Sequence, residues 1–240
     1  MANARENRAN EAIIDFTRSF ASGSFMNVYA GLYTEGVRAG QACVAKEFKT
    51  GSVYQARYFA AEMGIIRRTQ GIIDDWNDAG VTAGRILLNR PEIWEDVGTG
   101  EMNLVEPMIR NFVKFNSNSG WVDDGGHPWS QAMQALSHFS YANSSGQLLL
   151  CDLQGGPYNG GFILSDPVIM SQRLAYGPTD LGPEGIRLFF QTHRCGQFCK
   201  REWQRPRYRA VGPVPRMQGT SMRAYLPPRG ARNRRPRLQE

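Results

Sequence analysis

The 240-residue chain contains no run of about eighteen apolar residues, so a membrane-spanning helix is excluded. Its first ten residues, Met1 to Asn10, are polar and lack the apolar core of a secretory signal. The chain therefore reads as soluble and cytoplasmic, and disulfides are not expected. Cysteine and histidine are scarce, at four and three residues, so any that cluster need a chemical reason. Nothing repeats at a period of roughly twenty to fifty residues, which excludes a solenoid. The glycine-rich stretch Gly177 to Gly185 lacks the trailing Lys-Ser/Thr of a Walker loop and reads as a structural or substrate-contacting loop. What is present is ordinary: 41% hydrophobic and 11% aromatic residues supply a sizeable core and exclude a collagen-like, coiled-coil or wholly disordered chain.

The net charge of +6 is unevenly placed. Residues 204–240 hold ten arginines and a single acid, Glu240, hence +9, which leaves −3 for residues 1–203. Six of the thirteen prolines also fall there. So much Arg and Pro with so few large apolar residues cannot offset the entropy of ordering, and 204–240 is expected to be a disordered basic tail. Such a tail can attract polyanions. The body is net negative and does not interleave aromatic with basic residues, which argues against a nucleic-acid-binding protein.

Residues 1–19 read as an amphipathic lead-in carrying Ile13, Ile14 and Phe16. The glycine-bounded segment from Gly23 to Gly31 suggests strands around a turn, and Ala42 to Phe48 a strand. In the latter, Lys46 shares a face with Val44 and Phe48, so it needs an anion. A helix is expected from Ser52, its N-cap, to about Thr69, with Glu62 interrupting the stripe Tyr54, Tyr58, Ile65, Ile66. Lys46 and Glu62 would then be each other's counter-ions. A solvated lysine and a glutamate at the stripe's edge is the plainer alternative. Asn103 to Glu106 reads as a strand stopped by Pro107, suited to joining two lobes, and residues 114–129 as a polar loop. Ser130 is expected to cap a second helix, with a Met133, Leu136, Phe139 stripe and His138 beside it. The unbroken apolar run Leu148 to Cys151 reads as a buried strand, and Phe162 to Leu164 as another. Both end in acids, Asp152 and Asp166, where side chains emerge. Strands first and helices later suggest α+β.

Two groups of residues suggest chemistry. Phosphoryl transfer needs a cation for phosphate oxygens, hard oxygen ligands for Mg²⁺, and a carboxylate to receive the hydroxyl proton. Lys46, the pair Asp152 and Gln154, and Asp166 are of those types, although Asp-Leu-Gln-Gly and Ser-Asp-Pro sequences also serve as plain turns. His193, Cys195 and Cys199 have zinc-ligand spacing. A closed tetrahedral site needs a fourth ligand, and spacing leaves His127, His138, Cys43 and Cys151 open.

Eight blocks in order resemble the alpha-kinases, atypical protein serine/threonine kinases: Val44–Phe48, Leu104–Pro107, Lys114–Trp121, Gln134–Phe139, Leu150–Gly155, Ser165–Pro167, Tyr176–Gly182 and Phe189–Cys199. They span roughly residues 20–203. The resemblance implies a two-lobed α+β fold, with lobes of about 20–105 and 108–203. The N-terminal lobe would be an antiparallel sheet with one helix, the C-terminal lobe mixed and tied by a structural Zn²⁺, and ATP would lie between them. It further implies that Lys46 contacts ATP phosphates with Glu62 as its partner, that Glu106 lies beside the adenine, that Asp152 is the catalytic acid/base, and that Gln154 and Asp166 hold Mg²⁺. It selects His138 as the fourth zinc ligand, and a protein as the phosphate acceptor. One departure is Met26, where the family usually has a phosphate-binding arginine. Losing that contact motivates the alternative of an inactive pseudokinase acting as a zinc-stapled binding module.

Overall fold

Residues 42–48 alternate Cys43, Ala45 and Glu47 with Val44, Lys46 and Phe48, the period-2 pattern of a strand. The computed structural model describes residues 4–123 and 125–207, and the backbone of 236–238. In chain order the elements are β1 (Ala4–Arg5), β2 (Ala9–Ser22), β3 (Met26–Gly36), β4 (Ala42–Phe48), a 3₁₀ turn (Ala56–Phe59) leading into α1 (Ala60–Asp78), β5 (Ile86–Asn89), β6 (Glu92–Asp96), β7 (Met102–Pro107), β8 (Val113–Lys114), α2 (Ser130–Asn143), β9 (Leu148–Cys151), β10 (Gln154–Tyr158), β11 (Gly161–Leu164), β12 (Val168–Ser171), α3 (Gly182–Thr192) and β13 (Pro236–Leu238). They form two units, one from residues 5–60, 89–108 and the C-terminal strand, the other from residues 61–88 and 109–207. No helix among the described residues is long and apolar enough to cross a membrane.

The first unit is a closed antiparallel barrel in the order β13-β2-β3-β4-β7-β6. Ile14, Tyr33, Cys43, Ala45, Trp94 and Val105 fill it, with the Tyr33 and Trp94 ring centroids 5.9 Å apart. The outer face of β4 is buried too: Val44 packs with Ala21 and Val28, and Lys46 is only 3% exposed. Two expectations change here. Residues 9–19 are not a separate lead-in but most of β2, hydrogen-bonded along β3. Residues 236–238 of the expected disordered tail pair with β2 and β6, because backbone hydrogen bonding does not depend on the tail's composition. Residues 204–207 are also ordered, and 208–235 lie outside the described residues.

The second unit holds a mixed sheet, β1-β5-β11-β10-β8, a two-stranded ribbon, β12-β9, and the three helices. Leu148 and Leu150 of β9 face a core with Ile72, Ile73 and Trp76 of α1 and Met133, Leu136 and Phe139 of α2. Leu149 and Cys151 face a second core with Ile186, Phe189 and Phe190 of α3. Burial on both faces is why this strand is apolar at every position. The helix expected from Ser52 to Thr69 starts later and runs longer. Ser52 does not cap it, since its hydroxyl bonds the Glu101 carboxylate. The stripe continues through Ile72, Ile73 and Trp76, whose burial outweighs the roughly 1 kcal/mol cost of Gly71 inside the helix. That stripe packs in the second unit's core with Met133, Leu136 and Phe139. Ser130 is likewise the first helical residue of α2 rather than its cap, and donates to Asp123. The segment from Gly177 is structural at its centre: Asp180 accepts from the backbone N–H of Ser171 and of Gly182, 2.9 Å each, and the latter starts α3.

Candidate active site and metal centre

In the barrel unit, antiparallel register puts Lys46 opposite Leu104 and Val44 opposite Glu106, so Lys46 and Glu106 are diagonal neighbours on one face. The Lys46 Nζ lies 2.8 Å from Glu106 Oε1, with both side chains buried. Glu62 sits in the first turn of α1, where its Oε2 is buried without a hydrogen-bond partner and burial raises its carboxyl above the ordinary range. Met26 opens β3 opposite Phe48.

In the second unit the chain leaves β9 at Asp152, whose φ of 57° is left-handed, a conformation aspartate tolerates better than most residues. Leu153 is pinned on both sides: Asn116 Oδ1 accepts from its N–H at 3.0 Å, and its carbonyl accepts from Phe115 N–H at 2.8 Å. Asn116 is itself held by Ser137 on α2, 3.0 Å away. β10 then begins with Gln154 paired to Lys114 of β8. This register delivers the Lys114 Nζ to 2.7 Å from Asp152 Oδ1, and Gln154 Nε2 donates to Asp152 Oδ2 at 3.4 Å. Burial raises the Asp152 carboxyl, the Lys114 ion pair pulls it back, and the neighbouring Asp166 charge pushes it up again. Asp166 follows β11, and its φ of 51° is left-handed as well. The segment between Asp152 and Asp166 is a β10–β11 hairpin, turned by Asn159 and Gly160 with φ of 47° and 74°.

Sequence reasoning had assigned no role to Lys114 or Asn116, although both lie in the block from Lys114 to Trp121. A lysine entering a polar loop carries no mark of its partner 38 positions away. The Asn159-Gly160 dipeptide, by contrast, was a readable hairpin signal.

The second cluster draws on three stretches of the same unit: His138 from the last turns of α2, His193 from the C-cap of α3, and Cys195 and Cys199 from the turn that follows. Their four ligand atoms lie within 4.8 Å of one another. His193 Nε2 is 3.2 Å from His138 Nδ1, and Cys195 and Cys199 Sγ are each 3.7 Å from His193 Nε2. Tetrahedral zinc with ordinary Zn–N and Zn–S bonds separates its ligands by about 3.3–3.8 Å, so this donor set fits the ion. His138 Nε2 bonds the Gln204 carbonyl at 3.1 Å, which leaves Nδ1 for a metal. Burial, with the charges of His138, Arg205 and Arg194, lowers His193 to about 3, so its imidazole is neutral, the form a metal requires. Arg205 stacks on Phe190 and reaches the Phe190 and His193 carbonyls, 3.2 Å each, which orders the start of the expected tail. His127, left open by spacing, packs on Phe115 and Phe162 instead, while Cys43 and Cys151 are buried in other cores.

The alpha-kinase family model matches residues 21–199. Alpha-protein kinase vwkA of Dictyostelium discoideum is 40% identical over 91 residues, 38% of this chain and 14% of that protein. The elongation factor 2 kinase of Homo sapiens is 37% identical over 90 residues, 37% of this chain and 12% of that protein. The matched segment is thus about an eighth of each relative's length. Among solved structures, the alpha-kinase domain of myosin-II heavy chain kinase A, crystallised with ATP, superposes with a TM-score of 0.64 at 18% identity, covering 80% of this chain and 95% of that one. An alpha-kinase of Entamoeba histolytica gives 0.64 at 22% identity, covering 89% and 88%.

Proposed function

Since the chain belongs to the alpha-kinase family, we propose that it is a protein serine/threonine kinase that transfers the γ-phosphate of ATP to a protein hydroxyl. The observation that carries this reading is the Asp152 carboxylate, half-buried beside Gln154 and ion-paired at 2.7 Å to Lys114. A carboxylate that must accept the proton of an incoming hydroxyl has to be ionised in a site that excludes water. Burial raises its pKa, and the Lys114 ion pair opposes that rise. Lys46 neutralises phosphate oxygens, and Glu106 holds its ammonium in place and borders the adenine. Glu62 is the remaining nucleotide-site carboxylate, an assignment that rests on the resemblance alone.

Gln154 and Asp166 would hold Mg²⁺; an amide oxygen and a carboxylate are the hard ligands this ion takes, and the repulsion between Asp152 and Asp166 is what a cation relieves. When bound, the ion supplies positive charge to the phosphate oxygens. His138, His193, Cys195 and Cys199 would hold a structural Zn²⁺ that ties α2 to α3. Relatives named for elongation factor 2 and myosin heavy chain support a protein acceptor.

Met26 favours a second reading, the zinc-stapled pseudokinase, because it puts a thioether where the family usually has a cation. Transfer from labelled Mg·ATP to the protein itself and to a generic basic protein, with wild type run beside Asp152→Ala, decides between them. The expected result is transfer that disappears in the variant. A folded wild type without transfer leaves the binding module, and a fully active, folded Asp152→Ala refutes the assignment of the acid/base.

A further inference from the structure

Pro91 has no N–H and directly precedes β6, so β6 cannot continue alongside the end of β7. Its register with β7 stops at Glu92 opposite Val105. The Pro107 and Met108 carbonyls beyond it need donors from elsewhere. Those donors are side chains at chain crossings. Arg5 Nη2 donates to the Pro107 carbonyl at 2.8 Å and to the Met108 carbonyl at 3.4 Å, while Arg5 Nε donates to Asn89 Oδ1 at 2.7 Å. Asn89 Nδ2 donates to the same Pro107 carbonyl at 2.9 Å. Asn7 Nδ2 donates to the Val105 carbonyl at 3.2 Å, and the backbone of Arg90 closes on Arg5 at 3.0 Å. Asn7 and Asn89 are fully buried. Among the described residues the chain passes from one unit to the other after residues 4, 60, 88 and 108. Arg5, Asn89 and Met108 adjoin three of those four crossings.

We propose that Arg5, Asn7 and Asn89 form a clamp that holds the backbone of Val105–Met108 and thereby positions Glu106 and its ion-pair partner Lys46 for nucleotide binding. The clamp rests on the kinase reading for its ligand, ATP, but not for its mechanics. Its N-terminal half, Arg5 and Asn7, lies before the family match, which begins at residue 21. Glu106 sits between the two clamped carbonyls, of Val105 and Pro107. A shift of the backbone there moves the carboxylate that holds the buried Lys46 ammonium. These are positioning residues: none of them carries the charge that meets phosphate.

Arg5→Ala in the full chain removes the fork that ties Asn89 to Pro107. The expected result is a roughly five- to tenfold rise in both the Kd and the KM for Mg·ATP, with kcat within about twofold of wild type. Arg5→Lys, which reaches one acceptor but cannot fork, should lie between. Amide hydrogen exchange without nucleotide reads the mechanics alone. The Met108 amide, bonded to the Ala42 carbonyl, should exchange faster in Arg5→Ala while the β3–β4 amides keep their protection. Unchanged exchange at Met108 overturns the clamp whatever ATP does. Faster exchange with wild-type ATP affinity overturns its link to the nucleotide. A wild type that fails to bind ATP removes the kinase reading, and the exchange comparison still decides the clamp.

Discussion

Replacing Glu106 by Gln leaves the Lys46 ammonium, 3% exposed, against an amide. Taking one partner from a buried ion pair costs about 3–5 kcal/mol, because the remaining charge has been stripped of water without compensation. The Coulomb attraction at 2.8 Å is not the quantity lost; the stranded desolvation is. A chain of this size loses roughly 2–4 °C of melting temperature per kcal/mol, so Glu106→Gln should melt about 6–20 °C below wild type. Lys46→Met strands the carboxylate and should cost a similar amount. The double variant Lys46→Met/Glu106→Leu strands neither, and on this reasoning it recovers most of the loss. Calorimetric melts with urea titrations of all four proteins form a double-mutant cycle, with an expected coupling above about 2 kcal/mol. Two single variants that each cost under about 1 kcal/mol, or that simply add, would refute the claim that burial makes this pair interdependent.

Lys114→Ala should shift the acid limb of the transfer-rate profile to higher pH, since Lys114 holds the Asp152 carboxyl down against burial; an unmoved limb separates the two residues functionally. Glu62 has a folded-state pKa above its ordinary 4.5, so its contribution to stability is present below that value and lost as pH rises through the folded one. Glu62→Gln should therefore raise the melting temperature at pH 7 and leave it unchanged near pH 4, and a loss at pH 7 would contradict this sign. The purified protein should contain one zinc per chain by elemental analysis. Cys199→Ser should lower that content and destabilise the fold by several kcal/mol, whereas a metal-free wild type with the same melting transition would remove the zinc from the structure.

The individual strands and helices were largely readable because each has a local signature. The apolar run at 148–151, the alternation at 42–48 and the stripe at 133–139 all became the elements their patterns imply. The failures have physical causes. The helix expected to end near Thr69 runs on to Asp78, because the burial of Ile72, Ile73 and Trp76 overrides the local penalty of Gly71. The Arg- and Pro-rich end of the chain looked incapable of order, but its composition says nothing about Pro236–Leu238 pairing through backbone groups between β2 and β6. Arg205 likewise finds an aromatic ring and two carbonyls that no local pattern announces.

The candidate site divides along the same line. Residue type and spacing by themselves determined which side chains could bear chemistry: a lysine on an apolar strand face, acids at strand ends, and a His-x-Cys-x3-Cys cluster. They were sufficient for the family resemblance. Tertiary structure alone decided who meets whom. Lys46 meets Glu106 because β4 and β7 pair in one register, and Lys114 meets Asp152 because β8 and β10 pair in another. His138 reaches His193 because α2 and α3 bring residues 55 positions apart within 3.2 Å. Chemistry can be carried by a short stretch of chain, but charge compensation and metal coordination are set by distances of a few ångströms between segments remote in sequence, and only folding makes those distances short.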